Sequence, residues 1–288
     1  MNTIVLNQSN IVGTGNNTLT YKFPNSILFD NHEVAVQSIS MYYSWMNINS
    51  SPLANNTFTY SWIVGVTSTT YTVTIPDGLY EIAQINSYLQ FRMIQNGTYL
   101  INSAGQNVYY AELLIESTRY AVNLITYPVP TTLPTGWTAP LANIQSGSLA
   151  FVGYPTTTFN PVVTIPAKFN LIMGYTSGFA TAVNTGVNTI LSYFSSVAPQ
   201  VQPIPSLLVT CSNVDNRYSI PNNVIYSVVS DVAFGELISV KPNEYCWAGL
   251  LKGTQSQITI KFIGNDFSSI SILDPNITII LVIRKKET

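Results

Sequence analysis

Short segments in which apolar and polar residues alternate recur from one end of the 288-residue chain to the other. This two-residue period predicts β-strands that bury one face, and clusters of Gly, Pro and Asn bound the segments. The segment 71–75 alternates cleanly until Pro76, Asp77 and Gly78 interrupt it. Strands are predicted over residues 3–6, 19–23, 33–43, 58–64, 71–75, 108–116, 120–127, 161–165, 207–211, 224–229, 237–240, 257–263 and 277–285.

One segment has a helical period instead. The apolar residues that share one helical stripe there are Ile82, Ile85, Leu89 and Met93. The residues between them are mostly polar, and Gly97 is well placed to end the helix. A single further turn of helix is predicted within 166–174, closed by Gly174.

The last predicted strand, 277–285, carries apolar residues on both faces. One face holds Ile277, Ile279, Leu281 and Ile283. Ile280 and Val282 lie on the opposite face. A strand of this kind is expected to be covered on both sides, by a second sheet, a neighbouring loop or another subunit.

The fold class predicted from these patterns is all-β, a single jelly-roll β-sandwich with one short helix and a long loop insertion. No internal repeat of fixed period is visible, which disfavours a propeller or a solenoid. Residues 1–288 are predicted to form one jelly-roll domain, with a Pro-rich loop insertion around 128–161. Residues 184–202 have little clear periodicity, apart from the apolar stretch 190–194, and the whole segment is predicted as loop.

Charged residues make up 8% of the chain, against about 25% in an ordinary soluble domain. The polar surface must therefore consist mainly of Asn, Thr, Ser and Gln, as in the run 67–70. Uncharged polar groups lose less hydration than ions when they are buried in a contact, and the 18 Tyr suit an interface. The composition favours an obligate oligomer.

The net charge of −2 gives no basic field that would attract phosphates, so no specific binding of nucleic acid is expected. No apolar stretch approaches the roughly 20 residues that cross a bilayer, and no signal-peptide pattern follows Met1, so we expect no membrane span and synthesis in the cytosol. In that reducing compartment, Cys211 and Cys246 are interpreted as two small buried apolar residues and not as a disulfide.

The sequence offers few residues that could carry catalysis. His32 is the one histidine, so sites built from several His ligands are excluded. It is interpreted as an exposed turn residue. Turn chemistry accounts for Asp215-Asn216 and Asn265-Asp266, and a tight turn accounts for Gly13-Thr14-Gly15. We assign no catalytic, cofactor-binding or metal-binding residue and expect no enzyme activity.

The four tryptophans Trp45, Trp62, Trp137 and Trp247 allow two interpretations. They are core or interface anchors, or they line a sugar-binding surface. The basic cluster 284–286 either faces an anionic interior or keeps the terminus hydrated.

Three segments resemble the penton, or minor capsid, proteins of virophages and Polinton-like viruses. The first is Ile-Pro-Asp-Gly-Leu-Tyr-Glu-Ile at 75–82, which leads into Ile-Asn-Ser-Tyr-Leu at 85–89. The second is a Phe-x-x-x-x-Gly-aromatic element at 169–175. The third is the closing segment, from the polar turn at 267–270 through the apolar run that begins at Ile277 to Arg284-Lys285-Lys286.

This resemblance implies a jelly-roll protein that forms homopentamers at the fivefold vertices of an icosahedral capsid, beside a double-jelly-roll major capsid protein. It implies a location in the virion after synthesis in the host cytoplasm, and no enzyme activity. It supplies no interface residues. The alternative is a sugar- or receptor-binding β-sandwich module, such as a fibre head, because Trp137 lies in a loop rich in Pro, Thr and Gly.

Overall fold

The strand pattern of the sequence recurs in the computed structural model, which describes residues 1–51, 53–201 and 204–286. The first strands are β1 (Asn2–Leu6), β2 (Thr18–Phe29), β3 (His32–Tyr42), β4 (Thr57–Val64), β5 (Thr67–Thr74), β6 (Leu100–Ile101), β7 (Asn107–Val108), β8 (Ala111–Glu116), β9 (Ala121–Thr126) and β10 (Phe159–Asn160). The others are β11 (Val163–Ile165), β12 (Phe179–Ala180), β13 (Asn184–Thr185), β14 (Leu191–Phe194), β15 (Ser206–Cys211), β16 (Val224–Val229), β17 (Leu237–Val240), β18 (Ala248–Gly249), β19 (Gly253–Gly264) and β20 (Thr278–Lys285). The α-helices are α1 (Ile82–Gln95) and α2 (Asn170–Met173), and Gln8–Asn10 forms a 3-10 turn.

The chain divides into two compact units. Residues 1–46 and 204–288 form the first, which we call the split unit, and residues 47–203 form the second, the inserted unit. In sequence, the inserted unit lies between β3 and β15 of the split unit.

The split unit contains two antiparallel sheets. One has the order β1-β20-β3-β17, with the short β18 also paired to β3, and the other has the order β16-β15-β19-β2. In chain order, the strands of the first sheet are β1, β3, β17 and β20, and those of the second sheet are β2, β15, β16 and β19. The chain therefore crosses from one sheet to the other at every step except between β15 and β16. That is the topology of a jelly roll. The predicted all-β jelly-roll fold class is confirmed.

The core of the split unit comes from the buried faces of these sheets. Residues from both sheets are fully buried, among them Leu6, Leu19, Ile39, Val209, Ile260, Phe262 and Ile279. The last strand, β20, pairs with β1 on one side and with β3 on the other. Its Val282, which was predicted to need a cover of its own, is only 2% exposed, and Ile280 is half-buried. The prediction of a strand covered on both faces holds for its central residues.

The inserted unit combines two further antiparallel sheets with the helices. The sheets have the orders β12-β11-β4-β5 and β14-β9-β8. The residues that α1 buries are the predicted stripe, Ile82, Ile85, Leu89 and Met93. The helix packs against β8, where the Asn86 side chain accepts a hydrogen bond from the Leu113 N–H (2.9 Å). The short α2 ends at Gly174, as predicted, with a φ of 73°.

The single jelly-roll domain over 1–288 stays a prediction; the two compact units lie within it, and the Pro-rich segment 128–161 is one part of the inserted unit. Residues 128–158, all described, contain no named strand or helix, yet Val129 is fully buried against Trp62 and Phe159. Both units have the same alternating pattern, and no linker-like composition marks 46–47 or 203–204, so no boundary between the units could be predicted. The loop prediction for 184–202 was wrong at β13 and β14.

Candidate functional site

The single histidine begins β3 and is half-buried, although the sequence suggested an exposed turn residue. Its Nδ1 accepts a hydrogen bond from the Asp30 N–H (3.1 Å), and its ring meets Phe29 edge-on at 5.6 Å. Asp30 in turn pairs with Lys252 (2.9 Å), whose hydrogen bond and charge lower the pKa of the Asp30 carboxyl. These contacts give His32 a structural role in the turn between β2 and β3.

The acidic pairs and the glycine turn have local partners. Asp215 accepts a hydrogen bond from Asn222 Nδ2 (3.0 Å), and Asp266 accepts one from the Ser268 N–H (3.0 Å). Gly13 and Gly15 have φ values of 78° and 98°, which a tight turn requires. Among the described residues, no three metal-ligating side chains cluster as a metal site would need.

The four tryptophans separate into different environments. Trp45 and Trp62 are buried and belong to the cores of the split and inserted units. Trp247 is half-buried, with the Arg284 guanidinium 4.0 Å from its ring centroid. Trp137 is half-buried and lines an open cleft. The core interpretation holds for the first two, and Trp137 lines a cleft that a ligand could enter.

The two cysteines also differ. Cys211 is buried in β15, as predicted, and burial raises the pKa of its thiol to about 11. Cys246 is exposed in the connection between β17 and β18, so the prediction of a second buried thiol was wrong. Neither cysteine forms a disulfide.

The basic cluster at the end of the chain is only partly free to meet a partner. Arg284 Nε lies 2.6 Å from Glu33 Oε1, and Glu33 is 7% exposed. Arg284 thus compensates a buried carboxylate on the neighbouring strand β3. Lys285 and Lys286 are exposed, as expected of residues that hydrate the terminus.

The first resembling segment closes the start of the inserted unit. Asn47 donates from Nδ2 to the carbonyls of Tyr80 and Val201, each at 2.8 Å, and accepts from the Tyr80 N–H. Asp77 accepts hydrogen bonds from the Ser50 N–H (2.8 Å) and hydroxyl (3.0 Å). The segment therefore ties both ends of the inserted unit together.

The second resembling segment joins α2 to the β14-β9-β8 sheet. Phe169 is fully buried and stacks on Phe58 with ring centroids 5.3 Å apart. A Cβ at Gly174 would lie 2.2 Å from the Val197 carbonyl oxygen, so glycine is required there. The Tyr175 hydroxyl accepts from the Leu124 N–H (2.9 Å) and donates toward the Tyr193 carbonyl (2.7 Å). Burial raises the pKa of Tyr175, which keeps the phenol neutral.

Charge is scarce in the inserted unit. Its charged residues are Asp77, Glu81, Arg92, Glu112, Glu116, Arg119 and Lys168. The other seventeen of the chain's charged residues belong to the split unit. The scarcity of charged residues, which suggested an oligomer, is therefore most pronounced in residues 47–203.

The outer face of the β12-β11-β4-β5 sheet consists mainly of hydroxyl side chains. Register pairs Thr57 with Thr74, Thr59 with Thr72 and Ser61 with Thr70, and Thr164 lies beside Thr59. We call this surface the hydroxyl face; its members are Thr57, Thr59, Ser61, Ser68, Thr70, Thr72, Thr74 and Thr164. The opposite face buries Phe58, Tyr60 and Trp62 in the core. The four strands contain no charged residue.

The hydroxyl face ends at an open strand edge. Strand β5 pairs with β4 alone among the described strands. The Ile75 N–H donates to the Asn56 carbonyl (2.9 Å), which fixes the ladder so that alternate residues from Ser68 to Thr74 direct their backbone groups away from β4. The eight residues of β5 include no Pro, no charge and no bulge, the devices that usually prevent an edge from pairing.

The solved structures that are similar to this chain include two from virophages. The crystal structure of the selenomethionine-labelled mavirus penton protein is similar over 99% of this chain and 100% of that chain, with a TM-score of 0.41 and 8% identity. A chain of the Sputnik virophage, solved by cryo-EM, is similar over 99% of this chain and 98% of that chain, with a TM-score of 0.37 and 12% identity. No protein-family model matches the chain, and no curated protein matches its sequence.

Sequence reasoning singled out Trp137 but missed its neighbours in the cleft. Glu112 lies on β8 and Tyr127 directly follows β9, so the antiparallel pairing of these strands brings the two side chains together. The signal available in the sequence was their position in two adjacent predicted strands.

No helix in the described part of the chain is long and apolar enough to span a bilayer.

Proposed function

We propose that this chain is a structural capsid protein that forms a homopentameric penton at the vertices of an icosahedral virus or virophage shell, beside a double-jelly-roll major capsid protein. Its place is the virion, after synthesis in the host cytoplasm, and its role is assembly and not catalysis. The observation that carries the proposal is the uncharged hydroxyl face with its open edge at β5.

The chemistry of that surface suits permanent contact. Burying an ion in an interface costs several kcal/mol unless a partner compensates it, whereas hydroxyl groups exchange one hydrogen bond for another at little cost. Buried interface centres are depleted of Lys, Glu and Asp for this reason. The hydroxyl face has none of the three.

The edge of β5 provides backbone hydrogen bonds to a neighbouring copy. A ring of five requires heterologous contacts, in which a surface of one subunit meets a different surface of the next. Pairing of β5 with β5 of a second copy would instead be two-fold and would give dimers. In the ring, β5 therefore meets a different part of its neighbour.

The fivefold stoichiometry and the major capsid partner come from the sequence resemblance, which also implies a jelly roll. The split unit has that topology. The scarcity of basic residues, eleven in the whole chain, fits a protein without specific binding of nucleic acid.

Native mass spectrometry of the full chain tests the proposal. We expect the mass of five chains, and incorporation into shells when a double-jelly-roll major capsid protein is supplied. A monomer at high protein concentration that never enters such shells would contradict the proposal. A dimer would exclude the ring.

A variant with charge added to the edge of β5 tests whether this edge forms the contact between subunits. The double change Thr70→Lys and Thr72→Lys places two ammonium groups on exposed positions of β5, and Lys on an edge opposes strand pairing. We expect this variant to be monomeric and still folded. The matched control, Ser103→Lys with Ala104→Lys, adds the same charge to the exposed turn between β6 and β7 and should stay pentameric. If both variants assemble, β5 is not the contact.

A further inference from the structure

An open cleft in the inserted unit has a volume of about 590 Å³ and lies beside Trp137. We call it the Trp137 cleft. The lining residues that matter here are Asn107, Tyr109, Glu112, Tyr127, Trp137 and Asn188. None of them belongs to the hydroxyl face, so the proposed assembly surface gives the cleft no role.

The aromatic side of the cleft is held rigidly. Trp137 packs against the buried cluster that contains Trp62 and Phe159, which fixes its ring while leaving it half-exposed. Its loop is anchored by two hydrogen bonds between Ile101 and Thr138, of 2.9 and 2.8 Å. Tyr109 is fixed by stacking on Tyr99, with ring centroids 6.2 Å apart. Preformed aromatic surfaces bind apolar faces without a large ordering cost.

The polar side of the cleft is also preformed. The Tyr127 hydroxyl donates to Glu112 Oε1, which fixes the carboxylate on β8. Burial, and then the Glu112 carboxylate, raise the pKa of Tyr127 to about 12, so the phenol remains a neutral donor at physiological pH. Asn107 Nδ2 donates to the Tyr109 hydroxyl (3.2 Å), and Asn188 is exposed at the rim. Carboxylate and amide groups of this kind accept from and donate to neighbouring hydroxyls.

The charge of the cleft limits what can bind. Glu112 is its one charged lining residue among those described, and no Lys or Arg lines it. A phosphate, sulfate or sialic acid would meet a carboxylate with no compensating cation. An anion is therefore disfavoured, and an occupant that fits the lining presents an apolar face to the aromatic rings and several hydroxyls to Glu112 and the amides.

Sugar rings meet these requirements, because a pyranose has an apolar C–H face and a rim of hydroxyls. We propose that the Trp137 cleft binds a neutral oligosaccharide, with one sugar ring against the Trp137 indole and its hydroxyls bonded to Glu112 and Asn188. This adds a recognition function to the proposed structural one and does not depend on it. Aromatic grooves also bind proline-rich peptides, but these offer few hydroxyls to a carboxylate.

The test uses the full chain on an array of neutral, sialylated and sulfated oligosaccharides. Free maltotriose, chitotriose, mannotriose and lactose are then titrated by ligand-observed NMR and tryptophan fluorescence, with a decaproline peptide as the rival probe. We expect binding of at least one neutral oligosaccharide and none of the anionic forms at comparable concentration. Binding of decaproline alone, or of anionic and neutral glycans equally, would overturn the proposal, as would no binding of any neutral glycan at millimolar concentration.

Variants locate the site. Trp137→Ala should lower the affinity roughly tenfold or more, because it removes the stacking surface. Asn188→Ala changes an exposed rim residue, does not threaten the fold, and should also weaken binding. Trp247→Ala, which removes a half-buried tryptophan of the split unit, is the control and should bind as the parent does. Undiminished binding by Trp137→Ala and Asn188→Ala would place the site elsewhere.

The assembly state separates this proposal from the structural one. Trp137→Ala and Asn188→Ala should have the same native mass as the parent. Loss of saccharide binding with the pentamer intact is the expected result. A parent that assembles but binds no saccharide would reject the cleft proposal alone.

Discussion

The split unit and the inserted unit are both built from antiparallel strands, yet they hydrate their surfaces by different means. The split unit carries seventeen charged residues, and the inserted unit, although longer, carries seven. All three ion pairs among the described residues lie in the split unit. Charged residues are 17 of the 131 residues of the split unit and 7 of the 157 of the inserted unit, so both fractions lie below the about 25% of an ordinary soluble domain and the inserted unit's is much the lower. The low fraction of charged residues in the whole chain is therefore an average over two units that differ in charge.

The inserted unit relies instead on neutral polar groups inside its core. The Tyr60 hydroxyl lies 2.8 Å from Thr98 Oγ1 and accepts from Asn96 Nδ2 (2.9 Å). Asn160 donates to the Thr126 carbonyl (2.8 Å) while fully enclosed. Satisfied networks of this kind fix one packing arrangement without ions. We infer that these buried hydrogen bonds make the core of the inserted unit rigid without ions. Its surface, which has few charges, then loses little hydration free energy when it is buried in a contact.

The prediction with the largest expected effect tests whether the two units have separate cores that unfold independently. Phe169→Ala empties the inserted core, and Phe262→Ala empties the jelly-roll core, because both rings are fully buried. Each change should lower the free energy of unfolding of its own unit by about 3–5 kcal/mol. Hydrogen exchange with mass spectrometry should show protection lost in 47–201 for the first variant and in β15 and β19 for the second.

The matched control for those cavities is Phe91→Ala, since Phe91 is 46% exposed on α1. It should change protection in neither unit by a comparable amount. If Phe169→Ala lowers protection equally in both units, they unfold as one cooperative body and the comparison between them fails.

An intermediate effect concerns alkaline pH and the phenols of the inserted unit. Burial raises the pKa of Tyr60 to about 12, while an unfolded tyrosine titrates near about 10. The folded state therefore gains stability from the neutral phenol below pH ~10, and this gain is lost as pH rises from ~10 to ~12, by up to about 2–3 kcal/mol. Urea denaturation at a series of pH values should show the loss.

Tyr60→Phe isolates that contribution. At neutral pH the variant should be less stable by about 1–3 kcal/mol, because Asn96 and Thr98 lose their buried partner. Its deficit should shrink as pH rises through 10 to 12. Tyr120→Phe, at an exposed turn, should follow the parent at every pH. Parallel curves for Tyr60→Phe and the parent would mean that the Tyr60 hydroxyl does not resist ionisation.

Local periodicity explains which parts of the fold could be predicted. The stripe of α1 and the strands β16 and β17 follow from residues close together in sequence. The pairing of β1 with β20 joins the two ends of the chain, and no local pattern encodes that partnership. The boundary at Asn47 was invisible for a similar reason, because its three hydrogen bonds reach Tyr80 and Val201 across the inserted unit.

The candidate surfaces were predictable to different extents. The threonine run of β5 was visible in the sequence as an uncharged polar segment, but its position at a sheet edge depends on which strands pair. Trp137 stood out because its loop is rich in Pro, Thr and Gly. Its neighbours Glu112 and Tyr127 did not, because fifteen residues separate them and only the register of β8 and β9 joins them.

The smallest expected effect compares one charge from each unit. Arg284→Gln leaves the Glu33 carboxylate, which is 7% exposed, without its cation. Because the Arg284 side chain is 40% exposed and water screens the pair, we expect a loss of about 1–2 kcal/mol in the stability of the split unit. Lys168→Gln, at an exposed position of the inserted unit, should change stability by less than about 0.5 kcal/mol. Equal losses on urea denaturation would show that the stability of the inserted unit also depends on its charges, which would remove this contrast between the two units.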